Sequence, residues 1–126
     1  MDVIKLEELD IYQLALDVGE RIWNIVDLWE WFPKKTVGTQ LVTAADSIAS
    51  NISEGYGRYF YKDRKQFCYY SRGSLLETKN WITKAANRCA CKTINTVPHI
   101  EWWFSGYKCH PQLFSNIELV YPGGQC

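Results

Sequence analysis

Apolar residues that recur at alternating steps of three and four are the feature of this 126-residue sequence that most limits its fold. The first stripe consists of Ile11, Ala15, Val18, Ile22, Ile25 and Trp29, with Leu14 and Val26 beside it; the second of Leu41, Ala44, Ala45, Ile48 and Ile52; the third of Cys68, Ser71, Leu75, Thr78, Ile82 and Ala85. This spacing is typical of helices that pack side by side with a left-handed twist. The sequence therefore predicts an all-α fold, a left-handed up-and-down helical bundle.

The first helix is predicted over residues 9–31, with Asp10 as its N-cap. Pro33 should end this helix, because proline disfavours helical geometry in the residue before it. Residues 34–38 are then expected to form a loop.

The second and third helices are predicted over residues 39–55 and from residue 62 or 63 to residue 88. Gly55 and Gly57 lie where the second helix should end, since glycine provides the backbone freedom for a turn. An aromatic cluster follows, made of Tyr56, Tyr59, Phe60 and Tyr61. We expect this cluster to cover the end of the bundle.

Charge is divided unevenly along a chain whose formal net charge is zero. Residues 1–54 contain ten acidic and four basic side chains, a net charge of −6, whereas residues 55–92 contain nine basic and two acidic ones, a net charge of +7. The basic part centres on the third helix, where the candidate phosphate-binding residues are Arg64, Lys65, Arg72, Lys79, Lys84 and Arg88. Such a division indicates either a surface for nucleic acid or two faces that complement each other between subunits.

A polar stripe crosses the second helix at Ser47, Asn51, Glu54 and Arg58, with spacings of four, three and four. A carboxylate beside a guanidinium can belong to an active site. The interpretation that we favour is an internal network of hydrogen bonds and ion pairs that joins the second and third helices, with Arg72 and Glu77 as further members.

Two motifs carry a resemblance to a known family. They are Asn51-Ile52-Ser53-Glu54-Gly55-Tyr56-Gly57-Arg58 and Arg72-Gly73-Ser74-Leu75-Leu76-Glu77-Thr78-Lys79. Together they resemble the bacterial four-helix bundle proteins called 23S rRNA intervening-sequence proteins, whose relatives include the accessory protein of diversity-generating retroelements. The resemblance implies a pentameric ring, a possible reverse transcriptase partner and association with RNA or DNA. It attaches no catalytic chemistry to the polar stripe.

The likeness ends near Arg88, where members of that family continue into a long amphipathic helix. Residues 89–126 instead contain Pro98, Pro111 and Pro122, so no long helix fits there without an internal proline. We treat residues 1–126 as one domain with residues 89–126 as an atypical tail, and a fourth helix is doubtful. A frameshift in the coding sequence is one hypothesis for this tail, and an irregular cover over the three helices is the other.

Five cysteines and two histidines raise the question of a metal site. The residues concerned in the tail are Cys89, Cys91, His99, Cys109 and His110. A single residue between two cysteines is tight for two ligands of one tetrahedral zinc ion, so we expect no metal and reduced thiols without disulfides.

The amino terminus has acidic residues where a secretory signal would have basic ones, and no apolar run is long enough to cross a bilayer. We therefore expect a cytoplasmic protein without membrane contact.

No nucleophile with a neighbouring base and no glycine-rich phosphate loop is present, which predicts no enzymatic activity and no cofactor. The expected function is a non-catalytic nucleic-acid-associated adaptor or scaffold; the alternative is a purely structural homo-oligomer.

Overall fold

The computed structural model describes residues 3–88, and within this range the chain is helical almost throughout. The long helices are α1 (Asp10–Asp27), α3 (Thr39–Tyr56) and α4 (Tyr61–Asn87). A 3-10 turn at Leu6–Glu8, a short helix α2 (Trp31–Pro33) and a π-helical segment (Lys34–Gly38) complete the described part. The all-α prediction is confirmed for these residues, which contain no strand. The tail lies outside the described residues, so the fourth helix and the closed bundle stay predictions.

Helix α1 differs from its prediction at both ends. Its N-cap is Leu9, which has extended backbone angles (φ −77°, ψ 116°), while Asp10 lies in the first helical turn. The prediction that Asp10 caps the helix is wrong, although a carboxylate in the first turn still stabilises the helix dipole. The helix ends at Asp27 and not at residue 31.

Pro33 lies in the first turn of a helix, at the point where it was predicted to stop one. Glu30 has extended angles (φ −65°, ψ 160°) and caps α2, and its carbonyl accepts a bond of 3.0 Å from the Lys34 amide. In a first helical turn the missing amide hydrogen of proline is not needed, and its fixed φ suits the helix. The prediction of a loop at residues 34–38 is therefore wrong. Helix α2, the π-helical segment and α3 form one continuous helical run.

Helix α3 lies between the other two long helices and packs against both, whereas α1 and α4 contact each other far less. Its inward side carries Ala44, Ala45 and Ala49, all buried. Side chains this small allow two neighbouring backbones to approach the same helix from different sides. Helix α3 ends at Tyr56, within one residue of the prediction. The role predicted for the glycines is wrong, because Gly55 is buried inside the helix and Gly57 keeps a right-handed φ of −74°.

The predicted stripes match the core closely. Every member of the α3 stripe and of the α4 stripe is buried. In the first stripe the buried members are Ile11, Ala15, Val18, Ile22 and Val26 of α1 and Trp29 just after it, while Ile25 is partly buried. The assignment of Leu14 to the core is wrong, since 43 % of this residue is exposed.

Neighbouring long helices run in opposite directions. Between α1 and α3, Gly19 faces Asp46 near the middle and Val26 faces Gly38 at one end. Helices α3 and α4 are joined by residues 57–60 alone, and the π-helical segment before α3 also contacts α4. Helices α1 and α4 therefore point the same way, on different sides of α3.

Gly38 marks the closest approach in this packing. A Cβ atom built there would lie 2.7 Å from Cγ1 of the buried Val26 and 3.3 Å from the Pro33 carbonyl oxygen. Gly73, on the exposed side of α4, has no atom within 4 Å of the same position. The two glycines thus share a helical backbone but differ in the space around them.

We expect Gly38→Ala to lower the free energy of unfolding by about 1–3 kcal/mol, because the extra methyl group overpacks a closed contact. The matched control Gly73→Ala should raise it by about 0.5–1 kcal/mol, since alanine lowers the entropy cost of an open helix position. Urea unfolding followed by circular dichroism measures both. A Gly38→Ala variant as stable as the wild type would show that Val26 can move aside.

Candidate nucleic-acid interface

The polar stripe of α3 divides into a buried part and an exposed part. The Asn51 side-chain amide donates to the Ser47 carbonyl at 2.8 Å and to Ser74 Oγ of α4 at 3.3 Å. Ser71 Oγ, which is buried, donates to the Ile48 carbonyl at 3.0 Å. Asn51, Ser71 and Ser74 therefore link α3 to α4. The sequence signal for Ser71 was its place in an otherwise apolar stripe.

The charged members of the predicted network lie at the surface. Arg58 Nη2 and Glu54 Oε1 are 3.2 Å apart, and about half of each side chain is exposed. Glu77 Oε1 accepts from Trp81 Nε1 at 3.4 Å within α4, and Arg72 is exposed on the same helix. Glu54, in the last turn of α3, and Arg58, in the connection that follows it, thus form an ion pair that water reaches. An internal network that joins α3 to α4 through the charged side chains stays a prediction.

Three of the six candidate phosphate-binding residues form one row along α4. Lys65, Arg72 and Lys79 are spaced by seven residues, or two helical turns, so they lie on one side over roughly 20 Å. All three are outside the buried stripe of this helix. We call them the basic row.

The other three candidates lie elsewhere. Arg64 turns toward the connection between α3 and α4, where its Nε donates to the Arg58 carbonyl at 2.7 Å and its Nη2 to the Tyr59 carbonyl at 3.4 Å. Lys84 Nζ lies 4.6 Å from the centre of the Trp81 ring, and Arg88 caps the end of α4. Arg64 thus orders the backbone, while Lys84 and Arg88 extend the positive charge to the far end of the helix.

Exposed apolar side chains lie beside the basic row. Tyr69 and Leu76 each follow a member of the row by four residues, and they are 46 % and 52 % exposed. Lys65 Nζ is 5.9 Å from the centre of the Tyr69 ring. This side of α4 therefore offers cations together with ring and aliphatic surface.

A carboxylate pair that the sequence did not reveal lies between α1 and α3. Asp46 Oδ1 would be 2.8 Å from a Cβ atom at Gly19, so the glycine allows the carboxylate to lie against the backbone of α1. Asp46 is exposed overall, but part of its carboxylate is shielded from water against α1. This partial loss of water, and then the nearby charge of Glu20, raise the pKa of Asp46 above its usual value. A raised carboxyl pKa means that the ionised form costs stability, and this cost is relieved as the pH falls through the folded-state pKa. The signal in the sequence was Gly19 within a helix.

A groove between α1 and the start of α3 has a volume of about 260 Å³ and is lined mainly by Trp23, Val26, Gly38 and Val42. Ligand sites in proteins usually enclose about 300–1,000 Å³.

Over residues 3–88 no group of three or more metal-binding side chains is found, and no helix is long and apolar enough to span a membrane. The cysteines and histidines weighed for zinc lie outside the described residues.

We expect Ser71→Ala to destabilise the protein by about 1 kcal/mol, because it removes the buried donor that joins α3 to α4. Glu54→Gln should change the free energy of unfolding by less than about 0.5 kcal/mol, since exposed ion pairs contribute little. Chemical denaturation at neutral pH compares the two variants. A larger effect of Glu54→Gln would favour the internal network predicted from the sequence.

Similarity to known proteins indicates the family of this chain. No individually curated protein matches the chain. The model of the family described as 23S rRNA-intervening sequence protein matches residues 7–97, which include the three long helices of the described range and both motifs around Asn51 and Arg72. Because this match covers well over half of the sequence, the chain belongs to the 23S rRNA-intervening sequence protein family.

Proposed function

We propose that this protein is a non-catalytic, cytoplasmic adaptor that holds RNA, alone or within a protein–RNA assembly, on the basic side of α4. The observation that carries the proposal is the basic row of Lys65, Arg72 and Lys79. Lysine and arginine side chains that follow one helix side can contact successive phosphates of a nucleic-acid backbone. The family description, which refers to 23S rRNA, supports an rRNA-related role and makes RNA the first ligand to test.

The proposal assigns no chemistry to the protein. The two carboxylates of the motif region are occupied by neighbours, since Glu54 pairs with Arg58 and Glu77 accepts from Trp81. They belong to different helices, and no metal-binding group of three side chains occurs within the described range. A role in binding and positioning needs only the surface of α4.

We expect the wild-type protein to bind a fluorescent RNA hairpin at low salt. Lys65→Glu/Lys79→Glu should weaken binding about tenfold or more and reduce the salt slope by about two, because each lysine that contacts a phosphate contributes about one counterion. Anisotropy titrations at several salt concentrations measure both quantities.

The control is Lys5→Glu/Lys35→Glu, which changes the net charge equally at two exposed positions outside α4. Equal losses in both double variants would show that net charge alone attracts RNA. No binding by the wild type at low salt would overturn the adaptor proposal.

The second candidate function is a structural homo-oligomer, and the outer side of α1 favours it. Glu20 and Asp27 form an acidic row with a spacing of seven residues, and Leu16 and Trp23 form an exposed apolar row four residues before it. On α4 the order is reversed, since the basic row precedes the apolar row of Tyr69 and Leu76 by four residues.

This reversed order matters for two helices that lie side by side and point the same way. In that arrangement apolar residues meet apolar ones, and acids meet bases. Helices α1 and α4 point the same way within one protomer, so rotation about an axis parallel to them keeps α1 of one copy parallel to α4 of the next. Such a head-to-tail contact forms a ring when the rotation between copies closes after a whole number of them. By the family resemblance we propose five copies, with a reverse transcriptase as a further protein partner.

We expect the protein to associate at micromolar concentration in low salt. Lys65→Glu/Lys79→Glu and Glu20→Lys/Asp27→Lys should each weaken association, because each places like charges across the contact. A chain with all four substitutions should recover it, since both rows change sign together. Sedimentation velocity measures the assembly, and a monomeric wild type or a failed recovery would contradict this interface.

A further inference from the structure

The connection between α3 and α4, residues 57–60, exposes two aromatic rings that the sequence led us to place against the bundle end. Tyr59 is 85 % exposed and Phe60 is 67 % exposed. The prediction that the whole cluster covers the bundle end is wrong for these two rings. Tyr56, by contrast, is partly buried, and its hydroxyl donates to the Ile4 carbonyl at 2.6 Å. Two large rings are thus left in water at one corner of the molecule.

The backbone that carries these rings is well ordered by hydrogen bonds. Arg64 donates to the carbonyls of Arg58 and Tyr59, and the Arg58 amide donates to the Gly55 carbonyl at 3.1 Å. The Phe60 carbonyl accepts from the amides of the first turn of α4. The ring centres of Tyr59 and Phe60 are 5.2 Å apart, with the ring planes nearly perpendicular. The backbone that carries the rings is therefore ordered before any ligand arrives, and this lowers the entropy cost of ordering the connection on binding.

The charges around the corner are mainly positive. Between residues 58 and 65 the basic side chains are Arg58, Lys62, Arg64 and Lys65, and Asp63 is the one acid. Lys65 is also the first member of the basic row, so the corner continues the positive side of α4. A ligand that suits this corner has negative charge and flat, exposed rings.

We propose that unpaired bases of a bound nucleic acid stack on Tyr59 and Phe60 while the phosphates follow the basic row. This inference depends on the proposed RNA-binding function and specifies its ligand as a single-stranded segment. Exposed aromatic side chains beside cations are the usual stacking platforms for single strands, and every base has a face that can stack. In a duplex the bases stack on each other and leave no face for these rings.

The probes are a fluorescent 15-nucleotide single-stranded RNA and a fully paired RNA duplex of the same length. Tyr59→Leu/Phe60→Leu keeps apolar side chains at the corner but removes both ring faces. We expect it to weaken single-strand binding about tenfold or more, and to leave duplex binding within about twofold of the wild type. Tyr59→Phe should retain single-strand binding, because stacking needs the ring and not the hydroxyl.

A single strand with 2-aminopurine gives a second measurement, because its fluorescence changes when the base stacks on a ring. The aromatic control is Trp31→Leu/Phe32→Leu, whose rings are 70 % and 67 % exposed outside α4. Loss of single-strand binding and of the fluorescence change in the corner variant alone would support the inference.

Other outcomes overturn it, and they separate it from the adaptor proposal. Unchanged single-strand binding by Tyr59→Leu/Phe60→Leu, together with loss in Lys65→Glu/Lys79→Glu, would reject stacking and keep the adaptor function. Unchanged binding with a smaller assembly in sedimentation would show that a second copy covers the rings. Absence of all RNA binding by the wild type would reject both.

Discussion

The contact of small side chains along α3 is the constraint on which the rest of the structure depends. Ala44, Ala45 and Ala49 are buried between two neighbouring helices. Small residues allow α1 and α4 to approach α3 closely. Gly19 in α1 and Gly38 just before α3 add to the close contact on the α1 side. With α3 filled on two sides, the polar and charged sides of α1 and α4 must face outward. The surface charges of the molecule follow from the packing of its central helix.

The outward sides of α1 and α4 carry charges of opposite sign. A second copy of the chain and a nucleic acid would therefore compete for the basic row of α4. The acidic row of α1 suits the basic row of α4 from another copy, and the same basic row suits phosphates. A ring that used the full length of α4 would occupy Lys65, Arg72 and Lys79. A nucleic acid that binds there would oppose assembly, unless it also reaches cations outside the row, such as Lys84 and Arg88. The proposed assembly and the proposed RNA binding thus depend on one helix surface.

The corner between α3 and α4 adjoins the basic row at Lys65, but its two exposed rings lie outside that row. Arg64 was a candidate for phosphate binding from its sequence position, yet it bonds to two carbonyl groups of the corner. These bonds make Arg64 less available to a phosphate group. They also fix the backbone next to Tyr59 and Phe60. The corner resembles a site built on rigid elements, where groups are ordered in advance of binding.

The sequence by itself determined the three long helices and their inward sides, because the step of three and four along each helix directly reflects which residues avoid water. Every residue of the α4 stripe, including Ser71 and Thr78, was predicted as core and is buried. Local rules were less certain for Pro33, since a proline ends one helix or begins the next depending on which residue caps it. Only the tertiary structure decided the exposure of Glu54, Arg58, Tyr59 and Phe60. Each of them lies at a helix end, where burial depends on how far the neighbouring helix extends, and periodicity within one helix carries no information about that length.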